Sequence, residues 1–213
     1  MEQPDLFSHF DLASLPQADV YKLLVNVVMP RPIAWVVSQN AAGVINTAPF
    51  SFFNVMSSDP PLIAISFSGP RDRDMKDTLA NIRSQREFVV NMVSEDLAEA
   101  MNITACDAPR GVDEAQLAGL KLTPSSMIAV PRITVSPVAM ECKLFQTITP
   151  GGTSTICMGR VVAMHIRTSA FRDLQKLYID PHQLRLIARM HGAGGYATTR
   201  DLFNMPRKAW PLP

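Results

Sequence analysis

Asn46-Thr47-Ala48-Pro49-Phe50-Ser51-Phe52-Phe53-Asn54-Val55-Met56-Ser57-Ser58-Asp59-Pro60-Pro61 is the stretch whose reading decides the fold. Three phenylalanines fall within four positions, yet Asn, Thr, Ser and Asp are threaded around them and no Lys or Arg intervenes. A surface loop would not carry that much aromatic area, and a plain core strand would not carry that many hydrogen-bonding side chains. A pocket wall that holds a flat, partly polar ligand needs both. The competing reading is a core strand with a polar edge, in which Phe50, Phe52 and Phe53 only pack. Asn46, Thr47, Ser51, Asn54 and Ser57 weigh against it, because each polar group buried without a partner costs about 1–3 kcal/mol.

Outward from this stretch, β-type segments dominate. Ile33–Ser38 reads as a buried strand, and a turn at Gln39–Gly43 returns the chain through Val44–Thr47 as a hairpin. The run 50–55 and the apolar strand 62–67 flank the break at Ser57–Pro61. A helix is expected over about 75–86, followed by a strand over 87–93 that is nearly continuously apolar, as in strands covered on both faces. A second helix is expected over 95–105, from the spacing of Leu97, Ala98, Met101 and Asn102. Residues 107–126 read as loop, with a turn of helix around 114–118. Two long β segments, 133–148 and 155–167, are joined by a turn at Thr149-Pro150-Gly151-Gly152-Thr153. Upstream, 1–19 reads as an N-terminal arm and 20–29 as helix or strand, broken at Pro30-Arg31-Pro32. The tail holds an apolar-periodic piece at 184–190 and a Pro-rich strap. Strands that do not alternate with helices favour an antiparallel barrel over a doubly wound sheet.

Composition narrows the classes. The chain has 213 residues, 47% hydrophobic and 18% charged, with net charge +1. That length suits one domain that needs no disulfide staples. No basic field argues for nucleic acid and no polybasic run for a membrane surface. Three scattered cysteines form no C-x-x-C pair, and four histidines show no metal spacing. The N-terminal segment lacks the pattern of a signal peptide, and no apolar run approaches the roughly 20 residues of a membrane span. A cytoplasmic protein is expected.

Lys76-Asp77-Thr78 at a helix start has two readings. Free N–H groups with a Lys and a Thr hydroxyl make a phosphate cradle; a capped, solvated first turn is the bland alternative. Arg31, Arg71, Arg73 and Arg83 are further phosphate candidates, although Arg71 and Arg73 alternate with Asp72 and Asp74 as a solvated charged loop would. Gly192-Ala193-Gly194-Gly195 lacks the context of a dinucleotide fingerprint and reads as a mobile loop.

Arg31-Pro32-Ile33-Ala34-Trp35-Val36, Asn46 to Asn54, Ser58-Asp59-Pro60-Pro61, Lys76-Asp77-Thr78 with Asn81-Ile82, and Glu87-Phe88-Val89-Val90-Asn91 together resemble the flavin reductase-like, FMN-binding split-barrel family, flavoredoxin-type branch. The resemblance covers about residues 20–168. It implies a mainly β fold with helices (α+β): a six-stranded antiparallel Greek-key split barrel with flanking helices. The barrel domain would span 20–170, and an extension at 171–213 would pack on the barrel or a partner subunit. It also implies a homodimer with FMN near the interface. Asn46, Thr47, Ala48, Pro49, Ser51, Phe52, Phe53 and Asn54 would line the ring and ribityl chain, as would Ser57 or Ser58. Lys76, Asp77 and Thr78 would hold the phosphate, and Arg31 falls in a matching motif. His191 and Tyr196 are weaker candidates for covering the flavin. The implied activity is NAD(P)H-dependent flavin reduction by direct hydride transfer, without a dedicated acid or base. Reduced flavin would serve an oxygenase or electron-transfer partner. The competing class is a non-catalytic FMN electron carrier, and a third is a split barrel without flavin.

Overall fold

The computed structural model of the protein describes residues 6–69, 75–192 and 194–210. Arg71, Arg73 and their neighbouring aspartates therefore lie outside the described residues. Helix α1 (Gln17–Val27) settles the ambiguous 20–29 segment as helix and starts inside the expected arm. Strands β1 (Arg31–Pro32), β2 (Ala34–Gln39), β3 (Ile45–Phe50), β4 (Phe53–Ser58) and β5 (Pro61–Ser68) follow. Next come α2 (Asp77–Gln85) and β6 (Glu87–Asn91). The expected 95–105 helix divides into a 3-10 turn at Glu95–Leu97 and α3 (Ala98–Ile103). After α4 (Glu114–Leu117) and the short pair β7 (Leu122–Thr123) and β8 (Arg132–Ile133) come the two long strands, β9 (Val138–Ile148) and β10 (Ser154–Ile166). The tail adds β11 (Phe171–Asp173), β12 (Tyr178–Ile179), α5 (Pro181–Leu184), β13 (Ile187–Arg189) and β14 (Tyr196–Thr198).

Seven strands, one more than expected, form the main antiparallel sheet in the order β3-β2-β6-β9-β10-β5-β4. The segments read at 44–47 and 50–55 become β3 and β4, divided at Ser51-Phe52 and placed at opposite ends of the order. The sheet must curl to bring its ends that close. Ser66 N donates to Phe52 O at 2.8 Å, and the Phe50 ring meets Phe67 edge-on at 4.6 Å, closing the split barrel.

Strand β2 is buried on both faces, which explains its continuous apolar run. Ala34 and Val36 face the barrel interior with Ile63, Ile65, Phe67, Phe88 and Cys157. Trp35 and Val37 face a second core with Leu97, Met101 and Val130. The Trp35 indole Nε1 donates to Thr104 Oγ1 at 2.8 Å, so its one polar atom is paired. Gly159 leaves the space that Phe88 fills: a Cβ there would lie 2.4 Å from Phe88 Cζ.

The apolar-periodic tail piece is divided between two elements. Arg185 adopts a left-handed conformation (φ 47°) that ends α5 after Leu184, and Ile187–Arg189 then pairs with β1. Strands β1, β13 and β14 form a three-stranded sheet of their own, separate from the main sheet.

Candidate functional site

Strand β3 is an edge of the sheet, so alternate backbone groups point away from β2. Two of them are dealt with by chemistry. Pro49 has no N–H to leave unpaired. Thr47 N donates to Glu114 Oε2 at 2.9 Å. Beyond that edge, α2 begins at Lys76, whose extended backbone forms an N-cap without a side-chain hydrogen bond.

At this end of β3 the side chains form a buried network. Thr78 Oγ1 donates to Asn46 Oδ1 at 2.6 Å, and Asn46 Nδ2 donates to Glu114 Oε1 at 3.0 Å. Asn81 Nδ2 donates to Ser38 Oγ at 3.2 Å behind them. Arg110 reaches back from the 104–112 loop to pair with Asp77 at 2.9 Å. A cavity of about 110 Å3 opens here, lined by Asn46, Ala48, Pro49, Lys76, Asp77, Thr78, Cys106 and Glu114 among others. Burial raises the Glu114 proton affinity, although hydrogen bonds from Thr47 and Asn46 pull the other way.

At the other end of β3 lies a cavity of about 490 Å3. Leu24 and Val28 of α1, Phe52, Phe53 and Met56 give it apolar walls, and Arg31, Ser51, Asn54 and Ser66 add polar groups. The Phe52 ring stacks near Tyr21, with centroids 6.2 Å apart. Arg31 is buried, and its guanidinium donates to the carbonyls of Val25, Val28 and Met190. The tail therefore reaches this cavity through Met190. Tyr196 instead sits under the Arg189 guanidinium at 4.8 Å.

The expected residues thus fall into two groups. Asn46, Ala48, Pro49, Lys76, Asp77 and Thr78 line the first cavity; Arg31, Ser51, Phe52, Phe53 and Asn54 line the second. Thr47 and Ser57 line neither. The Thr47 side chain is fully buried with Oγ1 unpaired, and Ser57 Oγ accepts from Asp59 N at 3.2 Å within its turn. Arg31, read as a phosphate candidate, lines the second cavity and Lys76 the first. Sequence reading missed Glu114, a loop-region acid whose only signal was the helical turn around it. It also missed Glu141, fully buried in β9, which accepts from Ser126 N, Ser126 Oγ and Met127 N and pairs with His165. Among the described residues no group of three His, Cys, Asp or Glu could hold a metal ion.

A family model described as the flavin reductase like domain matches residues 27–186. The chain is 43% identical over 204 residues to an uncharacterized protein of Deinococcus radiodurans, covering 94% of this chain and 89% of that one. Among solved structures, it resembles the 2-nitrobenzoate 2-nitroreductase NbaA of Pseudomonas fluorescens, with 38% identity, TM-score 0.87 and coverage of 97% and 98%. It also resembles nitrilotriacetate monooxygenase component B from Bacillus cereus, with 33% identity, TM-score 0.88 and coverage of 93% and 98%. With a split barrel whose edge strand carries two cavities, the chain belongs to the flavin reductase-like family, a class of flavin oxidoreductases.

Proposed function

We propose that this protein binds FMN along β3 and catalyses its reduction by NAD(P)H, with hydride passing from nicotinamide C4 to flavin N5. The observation that carries the reading is one cavity along β3, from Asn46 to Phe50, followed by a second at Ser51–Asn54 where the chain leaves the strand. Asn46 and Ser51 are five residues apart, roughly 17 Å along an extended chain. That suits a flat ring joined to a phosphate by a polyol chain. Lys76 and the exposed N–H groups of α2 take the phosphate. Asn46 and Glu114 offer acceptors to the ribityl hydroxyls. Phe52, Phe53 and Ser51 receive the ring, and Asn54 faces it from β4. Bound FMN supplies the two-electron chemistry; the chain supplies alignment and a low-dielectric wall.

The reading extends to assembly. Val27, Val28, Val55 and Met56 are exposed around the second cavity, and Phe203, Met205 and Trp210 are exposed on the tail. A second copy covering this apolar face, as a homodimer, accounts for both. The likeness to a monooxygenase component B supports delivery of reduced flavin to an oxygenase. No helix among the described residues is long and apolar enough to cross a membrane, and a cytoplasmic location completes the proposal.

Anaerobic addition of NADH or NADPH to the protein with FMN is expected to bleach the yellow absorbance faster than in free FMN. If neither nucleotide does so while FMN stays bound, the protein is an electron carrier reduced by another protein. If FMN does not bind, the flavin reading fails altogether.

A further inference from the structure

We infer that Arg31 makes the ring cavity selective for the anionic, reduced form of the flavin over the neutral, oxidised form. This rests on the flavin reading above and deepens it. Arg31 is only 7% exposed. A guanidinium carries five N–H groups. Nη1 spends both of its hydrogens on Val25 O at 2.8 Å and Val28 O at 2.7 Å, and Nη2 spends one on Met190 O at 2.7 Å. Nε finds only Ser51 Oγ, at 3.5 Å, the outer limit of a hydrogen bond. Nε–H is thus only weakly held, and one Nη2 hydrogen has no partner among the described residues, beside a serine that lines the cavity.

The partners are as informative as the vacancies. All three acceptors are carbonyls, which satisfy hydrogens without neutralising charge. The α1 C-terminus eases the cation through its dipole, but among the described residues no carboxylate pairs with this buried charge, which is costly. Burial already pulls the Arg31 proton affinity below the usual arginine value, and Arg189 adds repulsion. An anion arriving in the cavity would relieve both effects.

Reduction creates such an anion. Hydride carries two electrons and one proton to N5, the nicotinamide becomes one charge more positive, and the flavin becomes one charge more negative at its N1–C2=O edge. No other reactant is needed for the balance. With FMN bound, that edge would offer acceptors to the spare Nη2 hydrogen and the weakly held Nε–H of Arg31. Leu24, Val28, Phe52 and Met56 give the cavity apolar but exposed walls, and the second copy proposed above would cover them, lower the dielectric and strengthen the attraction. The oxidised ring gains only neutral hydrogen bonds, so the cation favours the state in which the electrons have arrived.

The test is anaerobic titration of the full chain with FMN and with dithionite-reduced FMN at neutral pH. Wild type is expected to bind reduced FMN about tenfold or more tighter than oxidised FMN, as hydrogen bonds to a charged group predict. Arg31→Gln should shrink that ratio to within about threefold. Arg31→Lys should keep the preference while lowering the melting temperature, because the charge stays and the three carbonyl contacts do not. Equal wild-type affinity for the two forms overturns the inference without any variant, and so does a preference that Arg31→Gln leaves intact. If neither form binds, the flavin site fails and the inference goes with it; if both bind equally, only the inference fails.

Discussion

Two buried glutamates show how this chain treats charge in different places. Glu141, in the middle of β9, is fully buried and accepts hydrogen bonds from Ser126, Met127 and His165. Burial alone would raise its proton affinity, but those donors outweigh burial and hold the carboxyl at about 2. Glu114, on α4 beside β3, is 6% exposed and accepts from Asn46 Nδ2, Thr47 N and its own backbone N–H. There burial wins and its proton affinity rises. A carboxylate held by two backbone N–H groups, a hydroxyl and a histidine joins strands and loop into one piece. A carboxylate held on the wall of a cavity keeps acceptor oxygens beside it. We read the first as structure and the second as part of the site.

The contrast can be broken at its strongest point first. Glu141→Ala removes the acceptor for two backbone N–H groups, a hydroxyl and His165, and should cost on the order of 3 kcal/mol in urea denaturation at neutral pH. Glu114→Ala strands Asn46 Nδ2 and Thr47 N and should cost about 2 kcal/mol. It should also weaken FMN, whereas Glu141→Ala, once folded, should not.

Acid titration separates the pair by sign. Glu141 gives up its proton far more readily folded than unfolded, so its contribution is full above about pH 4.5 and fades as the pH falls towards 2. Its depression corresponds to roughly 3 kcal/mol. Glu114 binds its proton more tightly folded than unfolded. Its contribution is present in acid and lost as the pH rises through its folded value. On mild acidification from neutrality, the wild type should therefore gain stability relative to Glu114→Gln. A flat difference between the two curves would remove the raised affinity.

Ligand affinity gives the smaller effects. Lys76→Ala should weaken FMN about tenfold and riboflavin less than twofold, since a charge-assisted contact to phosphate is worth about 1.5–3 kcal/mol. Equal loss of both would take Lys76 out of the phosphate site. Asn54→Ala should weaken both ligands about threefold, the value of one modest hydrogen bond. A loss confined to FMN would place Asn54 away from the ring.

Much of the fold was legible because alternation and apolar runs report local backbone state. Phe88, Val89 and Val90 announced a strand covered on both faces, and the two faces enter different cores, Phe88 and Val90 in one and Val89 in the other. The 149–153 turn announced the β9–β10 pair. Periodicity already separated the 44–47 and 50–55 segments; the count of six came with the family resemblance, and only the sheet order shows that the two segments lie at its opposite ends.

Sequence by itself determined the mainly β barrel class, the mixed aromatic and polar character of the 46–61 stretch, and a Lys-Asp-Thr helix start downstream of it. Only the tertiary structure decided where these polar groups are satisfied. Arg31 meets Met190, 159 positions away, and Asn46 meets Glu114, 68 positions away. Local pattern sets which faces are apolar, because burial is felt residue by residue. Pairing of buried polar atoms depends on which distant segments the closed barrel brings within about 3 Å, and that distance exists only after the chain has folded.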